Sequence, residues 1–179
     1  MKKTPLKRKT ALSARPKSEK ARLKAEVWNL VSAYVRLRDA LMTTGSLDEC
    51  RCVTCGRRKP LFVRGGIEAG HFIPGRHNSI LYDVRAIHGQ CSYCNDYLKG
   101  NWVPYRDYMV RMYGVDMVED LIRRDREIVS YKDYELEVLA DEMLVSIENV
   151  LKSAPAIPDP VRKKLYKYRD RLPSLLKKS

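Results

Sequence analysis

From Val27 to Leu41 apolar side chains return at three- and four-residue steps: Val27, Leu30, Val31, Tyr34 and Leu41, with Arg38 inside the same stripe and Trp28 beside it. That period predicts a helix beginning near Ser18 and stopped by Gly45. The period returns beyond Pro104. Tyr105, Tyr108, Met109, Met112 and Tyr113 share one face, and Gly114 ends it. A second helix is expected over 115–127. A third, over 131–152, turns Leu136, Leu139, Met143, Ile147 and Val150 inward and Asp133, Glu135, Glu137, Asp141, Glu142 and Glu148 outward. Apolar stripes of this width pack cores.

Between these helices the pattern shortens. Gly65-Gly66 predicts a hairpin turn, and I-E-A-G-H-F-I a strand that ends at Pro74-Gly75. After an irregular loop, a short run from Val84 to His88 leads into Cys91. The segment S-Y-C-N-D-Y-L-K-G-N then reads as a short helix stopped by Gly100. The order is strand, loop, strand, helix. Pro5, Pro16 and the many lysines of residues 1–17 predict a disordered basic arm, and S-A-P-A-I-P-D-P a linker to a basic tail. The chain thus divides into an arm (1–17), a first helix (18–45), a mixed centre (46–104), a helical region (105–152) and a linker with tail (153–179). The fold class is α+β, helix-rich, a single domain with tails.

Charge sharpens this division. The net charge is +13 over 179 residues. Residues 1–24 carry ten Lys/Arg against Glu19 alone, and residues 161–179 carry eight against Asp170, whereas 25–160 hold 17 basic and 20 acidic residues. Basic ends on a near-neutral body are the footprint of a polyanion binder, most often nucleic acid. The first arm lacks the aromatic amphipathic face of a membrane-surface helix. No apolar run is long enough to span a bilayer, and no signal peptide is evident, so a cytoplasmic protein is expected.

The chemistry sits in the centre. Cys52 and Cys55 (C-V-T-C-G) and Cys91 and Cys94 (Q-C-S-Y-C-N) form two C-x-x-C pairs that bracket all three histidines, His71, His77 and His88. Each pair sets two thiolates on one knuckle, as tetrahedral Zn²⁺ requires. Two disulfides or a redox pair are the other readings; a cytosolic chain disfavours the first. Cys50, in C-R-C, is badly placed to join. His71 ends a predicted strand, and Asn95 follows Cys94 directly. Held on two arms of a zinc-clipped hairpin, they could jointly face a phosphodiester and a divalent metal. The other reading is a zinc ribbon whose histidines only pack.

The order C-V-T-C-G, A-G-H-F-I-P-G-R, I-H-G-Q-C-S-Y-C-N-D-Y-L-K-G-N resembles the zinc-clipped branch of the HNH (ββα-metal) nucleases. More closely, it resembles the NinG/Rap recombination proteins of lambdoid phages. The likeness covers roughly residues 22–151 and is densest over 52–114. It implies a ββα-metal unit with Cys52, Cys55, Cys91 and Cys94 on structural zinc. His71 would be the general base and Asn95 a ligand of catalytic Mg²⁺ or Mn²⁺. In two places this chain departs from the pattern. The acidic residue that often precedes the histidine is Gly70, and the middle Asn is Ala86. Glu68 is the nearest carboxylate, but strand alternation turns it from His71; Asp83 could brace the loop in place of the Asn. His88 thereby becomes a further catalytic candidate. Arg76, His77 and Lys99 are expected on the DNA backbone.

The expectation is therefore a metal-dependent endonuclease, a homodimer being one arrangement that would bring two sites to two strands. The resemblance implies branched recombination intermediates as its substrate. A non-catalytic zinc-ribbon DNA-binding or recombination-accessory protein is the alternative. An RNA-binding zinc protein fits the basic ends but not G-H-F-I-P-G-R.

Overall fold

A computed structural model describes residues 18–75 and 77–176. The expected N-terminal arm lies outside them. Helix α1 (Glu19–Thr44) starts where Ser18 Oγ accepts from Ala21 N–H and stops at Gly45, whose φ of 72° is left-handed. Glycine takes that conformation without a Cβ clash. The centre contains two small antiparallel pairs. Strands β1 (Glu49–Arg51) and β2 (Arg58–Pro60) flank the first cysteine knuckle, and β3 (Ile67–His71) pairs with β4 (Ile87–Cys91). A π-helical turn, Tyr93–Tyr97, follows β4. Helices α2 (Trp102–Tyr113), α3 (Val115–Arg124), α4 (Asp133–Ser153) and α5 (Asp159–Leu165) complete the helix-rich α+β architecture.

Two apolar clusters hold these elements. In the larger, the buried face of α1 (Val27, Leu30, Val31, Leu37) meets Leu136, Leu144 and Ile147 of α4 and Ile67 and Ile87 of the β3–β4 pair. In the smaller, Tyr105 and Met109 of α2 and Val118 and Leu121 of α3 close over Phe72, Ile73, Ile80 and Ala86. The loop between β3 and β4 is thus walled by α2 and α3. Long-range packing, rather than the short strands alone, fixes its shape.

Three expectations need correction. Gly65-Gly66 forms a turn, but it joins no hairpin: Leu61 and Ile67 on either side make a parallel bridge, so β2 and β3 belong to different sheets. The segment read as linker and tail is folded from Asp159 to Leu176. Val161, Leu165, Tyr168, Leu172 and Leu175 are all buried in the larger cluster. Their spacing is itself helical; Lys163, Lys164, Lys167 and Arg171 between them are exposed, while Arg162 donates to Ile157 O and Leu175 O. The second helix beyond Gly114 ends at Arg124, three residues short of expectation.

Candidate metal centre and active-site cleft

Four sulfur atoms converge. The Sγ atoms of Cys52, Cys55, Cys91 and Cys94 all lie within 4.8 Å of one another, and Cys55 and Cys91 are 3.7 Å apart. Tetrahedral Zn²⁺ with Zn–S bonds of about 2.3 Å requires sulfur spacings of about 3.8 Å. The donors therefore fit the ion in number, chemistry and spacing. The knuckle closes through Gly56 N–H to Cys52 O (2.8 Å), with Gly56 at φ 71°. It is tied to β4 by Val53 N–H to Gly89 O (3.0 Å).

Electrostatics agree with the geometry. Burial opposes ionisation of Cys52. Hydrogen bonds from the Thr54 hydroxyl and from the backbone N–H groups of Cys91, Cys55 and Thr54 outweigh it, bringing the thiol down to about 7. Cys55 is pushed up to about 12, first by burial and then by its neighbour Cys52. Successive thiolates in so small a volume repel, and a cation removes that cost. Cys50 stands apart: it is buried, bonds toward Thr43 Oγ1 and Arg51 O, and burial pushes its thiol up to about 12.

Beside this centre a cleft of about 230 Å³ is lined by Ala69, His71, Pro74, Gly75, Asn95, Lys99 and Gly100. Three residues singled out by the sequence thus share one cavity. The His71 ring stacks on Trp28 of α1 at 4.8 Å and 18°, and its Nε2 lies 3.2 Å from Leu81 O. A carbonyl only accepts, so Nε2 carries the proton and the lone pair falls on Nδ1. Asn95 donates Nδ2–H to Glu68 Oε2 at 2.8 Å. Lys99 is exposed at φ 51°, in a turn where Gly100 and Asn101 also have positive φ.

Asp83 does brace the loop. Its carboxylate caps Arg85 N–H, chelates the Arg85 guanidinium and accepts from Arg124 of α3 at 2.8 Å. Burial alone would raise its pKa, but these hydrogen bonds hold it below the usual carboxylate range. The backbone of Ala86, where the resemblance led to an Asn, contributes instead by accepting from Phe72 N–H at 2.8 Å.

Other candidates lie elsewhere. His88 is fully buried and does not line the cleft. Its Nδ1 is 3.1 Å from Asp39 Oδ2 and 3.0 Å from Arg38 Nη2, and its Nε2 is 3.1 Å from the Tyr113 hydroxyl. It ties α1, β4 and α2 together. His77 is exposed but engaged, with Nδ1 3.0 Å from Asp125 Oδ1. Arg76 lies outside the described residues. Sequence reasoning passed over Gln90, opposite Glu68 in the β3–β4 register and fully buried, whose Nε2–H donates to Gly100 O at 2.7 Å. Its place directly before the second cysteine pair was the available signal.

These features define a helix-rich α+β protein with a four-cysteine centre suited to zinc, beside a cleft bearing a histidine, an asparagine and a lysine. The chain belongs to the NinG family: the family described as "Bacteriophage Lambda NinG protein" matches residues 2–152. It is 30% identical over 92 residues to the ninG proteins of Salmonella phage P22, Escherichia phage 933W and Escherichia phage lambda. That stretch is 51% of this chain and 39%, 40% and 39% of those proteins, respectively. The match therefore spans about two fifths of the relatives' length. No solved structure matches it. Among the described residues no helix is long and apolar enough to cross a membrane.

Proposed function

We propose that this phage protein is a metal-dependent DNA endonuclease in which β3, β4 and the turn after Cys91 act as a ββα-metal unit. One observation carries the reading: His71 and Asn95, at the far ends of two paired strands and their knuckle, line the same cleft. Leu81 O fixes the His71 tautomer, so Nδ1 is the atom that takes a proton from water as it attacks phosphorus. Trp28 holds the ring plane during that transfer. Lys99, exposed at the cleft wall, meets a phosphate oxygen. Mg²⁺ or Mn²⁺, when bound at Asn95, supplies charge stabilisation for the phosphate and leaving oxygen. Zinc on four thiolates keeps no open position, so its part is structural.

Branched DNA as substrate rests on the family resemblance, and two copies would be needed to cut two strands. A non-catalytic zinc-ribbon binder is the second reading, favoured by the hydrogen bond and ring stack that already engage His71. The test is incubation of zinc-loaded protein with labelled linear and four-way-junction DNA, with and without Mg²⁺ or Mn²⁺. Cation-dependent cleavage of the junction is expected. Binding without cleavage under either cation would refute the nuclease reading and leave the binder.

A further inference from the structure

Around Gly70 the polar atoms do not balance. A Cβ placed on Gly70 would lie 2.1 Å from Gln90 Oε1 and 3.0 Å from Asn95 Oδ1, so two amide oxygens face one point. Gln90 cannot turn: its Nε2–H is committed to Gly100 O, which only accepts. Its Oε1 is buried with no hydrogen-bond partner. Such an orphaned acceptor is costly, and native interiors rarely keep one.

Rotating the Asn95 amide by half a turn resolves this. Nδ2–H then lies on the Gly70 side, where Gln90 Oε1 also sits, and Oδ1 faces Glu68 in place of the nitrogen now 2.8 Å from Oε2. Two oxygens at that distance repel unless a cation lies between them. Octahedral Mg²⁺, with Mg–O bonds of about 2.0–2.1 Å, sets adjacent ligand oxygens about 2.9 Å apart. The gap already has that width. Of the two side chains Asn95 lines the cleft that holds His71, and Glu68 stands behind it.

We infer that Glu68 and Asn95 together form the divalent-cation site, with Gln90 as the positioning residue that holds the Asn95 oxygen outward. Glu68 then supplies the carboxylate that the family pattern leads one to seek at position 70, and Gly70 is glycine because the Gln90 and Asn95 amides fill the place of its side chain. Strand alternation does put Glu68 on the face opposite His71. The helical turn after β4 brings Asn95 over that face, and the cation binds there. Arg36 is the charged group that faces Glu68. It is held by Ser32 and lies over the Phe62 ring at 4.3 Å.

This site rests on the nuclease reading only for its use, so its test reads binding. The zinc-loaded full chain is titrated with Mn²⁺, and loss of the free-ion EPR signal is followed. One Mn²⁺ per chain is expected. Glu68→Gln keeps an acceptor for Asn95 but removes the charge, and it should weaken Mn²⁺ at least tenfold with zinc content unchanged. Gln90→Leu should weaken it several-fold. A Glu68→Gln variant that binds Mn²⁺ as tightly as the parent overturns the assignment, as does a parent that binds none. Junction cleavage in Mg²⁺ is assayed alongside. If the parent cleaves and Glu68→Gln retains full Mn²⁺ affinity, the site is wrong and the nuclease reading stands. Glu68-dependent Mn²⁺ binding without cleavage upholds the site and removes the nuclease.

Discussion

Asp39→Asn should cost a large part of this protein's stability without touching the cleft. Asp39 is 1% exposed, and its carboxylate accepts from Gly89 N–H (2.7 Å) and Arg38 Nε (2.7 Å) and meets His88 Nδ1 (3.1 Å). Arg38 in turn donates to Val84 O and Ile87 O, so this pair joins α1 to β4. The asparagine keeps the shape and an acceptor for Gly89, but it leaves the Arg38 charge, only 15% exposed, without its counter-ion. Breaking a buried pair on one side costs about 3–5 kcal/mol. Against about 5–15 kcal/mol for a whole domain, that is about a fifth or more. Burial pushes the Asp39 carboxyl up, but the His88 and Arg38 contacts together pull it below its usual value. Its folded pKa is thus depressed. Its contribution is full above the unfolded carboxylate value and is lost as pH falls through the folded one, below about pH 4. Urea unfolding with Zn²⁺ present measures the loss at neutral pH. Arg38→Met removes the stranded charge, so the double variant should be more stable than the sum of the two singles requires. An Asp39→Asn loss under about 1 kcal/mol, or strict additivity with Arg38→Met, would refute this reasoning.

Other outcomes follow from the same structure. His71→Ala should lower cleavage about 10²–10⁴-fold and leave junction binding intact, as gel shift and cleavage assays on one preparation would show. Cys91→Ser should lose zinc and fold together, because structural zinc supplies about 10–16 kcal/mol of apparent binding energy. Cys50→Ser should keep its zinc; elemental analysis and circular dichroism separate the two. Deleting residues 159–179 should lower the urea midpoint, since it strips Val161, Leu165, Tyr168, Leu172 and Leu175 from the larger core. A truncated chain as stable as the parent would mean that this segment adds only charge.

What the sequence made legible was local. Two C-x-x-C pairs constrain their own geometry, so the sulfur cluster could be read from spacing. The periods of α1 and α4 placed Val27, Leu30, Val31, Leu136 and Ile147 correctly in the core. Tyr34, Arg38, Leu41, Leu139, Met143 and Val150, however, are only partly buried, and the buried Val35, Leu37, Asp39, Leu144 and Leu151 were passed over. Misreadings came where one strong signal covered another. Three prolines and a run of lysines concealed the apolar spacing of Val161 to Leu175. Gly65-Gly66 signalled a turn but not which strands it would separate. His88 could be assigned only once α1 and α2 were seen to close over it, because burial by distant segments leaves no trace in its neighbours. Glu68 was read by alternation alone, which describes a strand but not the helical turn laid across it.

The stacking of Trp28 on His71 gives the cleft an optical reporter. An imidazolium quenches indole emission where a neutral imidazole does so far less. The ring 4.8 Å from Trp28 is the one proposed to gain a proton. Of the two tryptophans in the chain, the other, Trp102, stacks on Phe72 and has no imidazole against it in that pair. Replacing Trp102 with Phe would leave a single tryptophan, so with excitation selective for indole the charge on His71 could be followed by steady-state fluorescence in unlabelled protein, through a pH titration or as DNA enters the cleft.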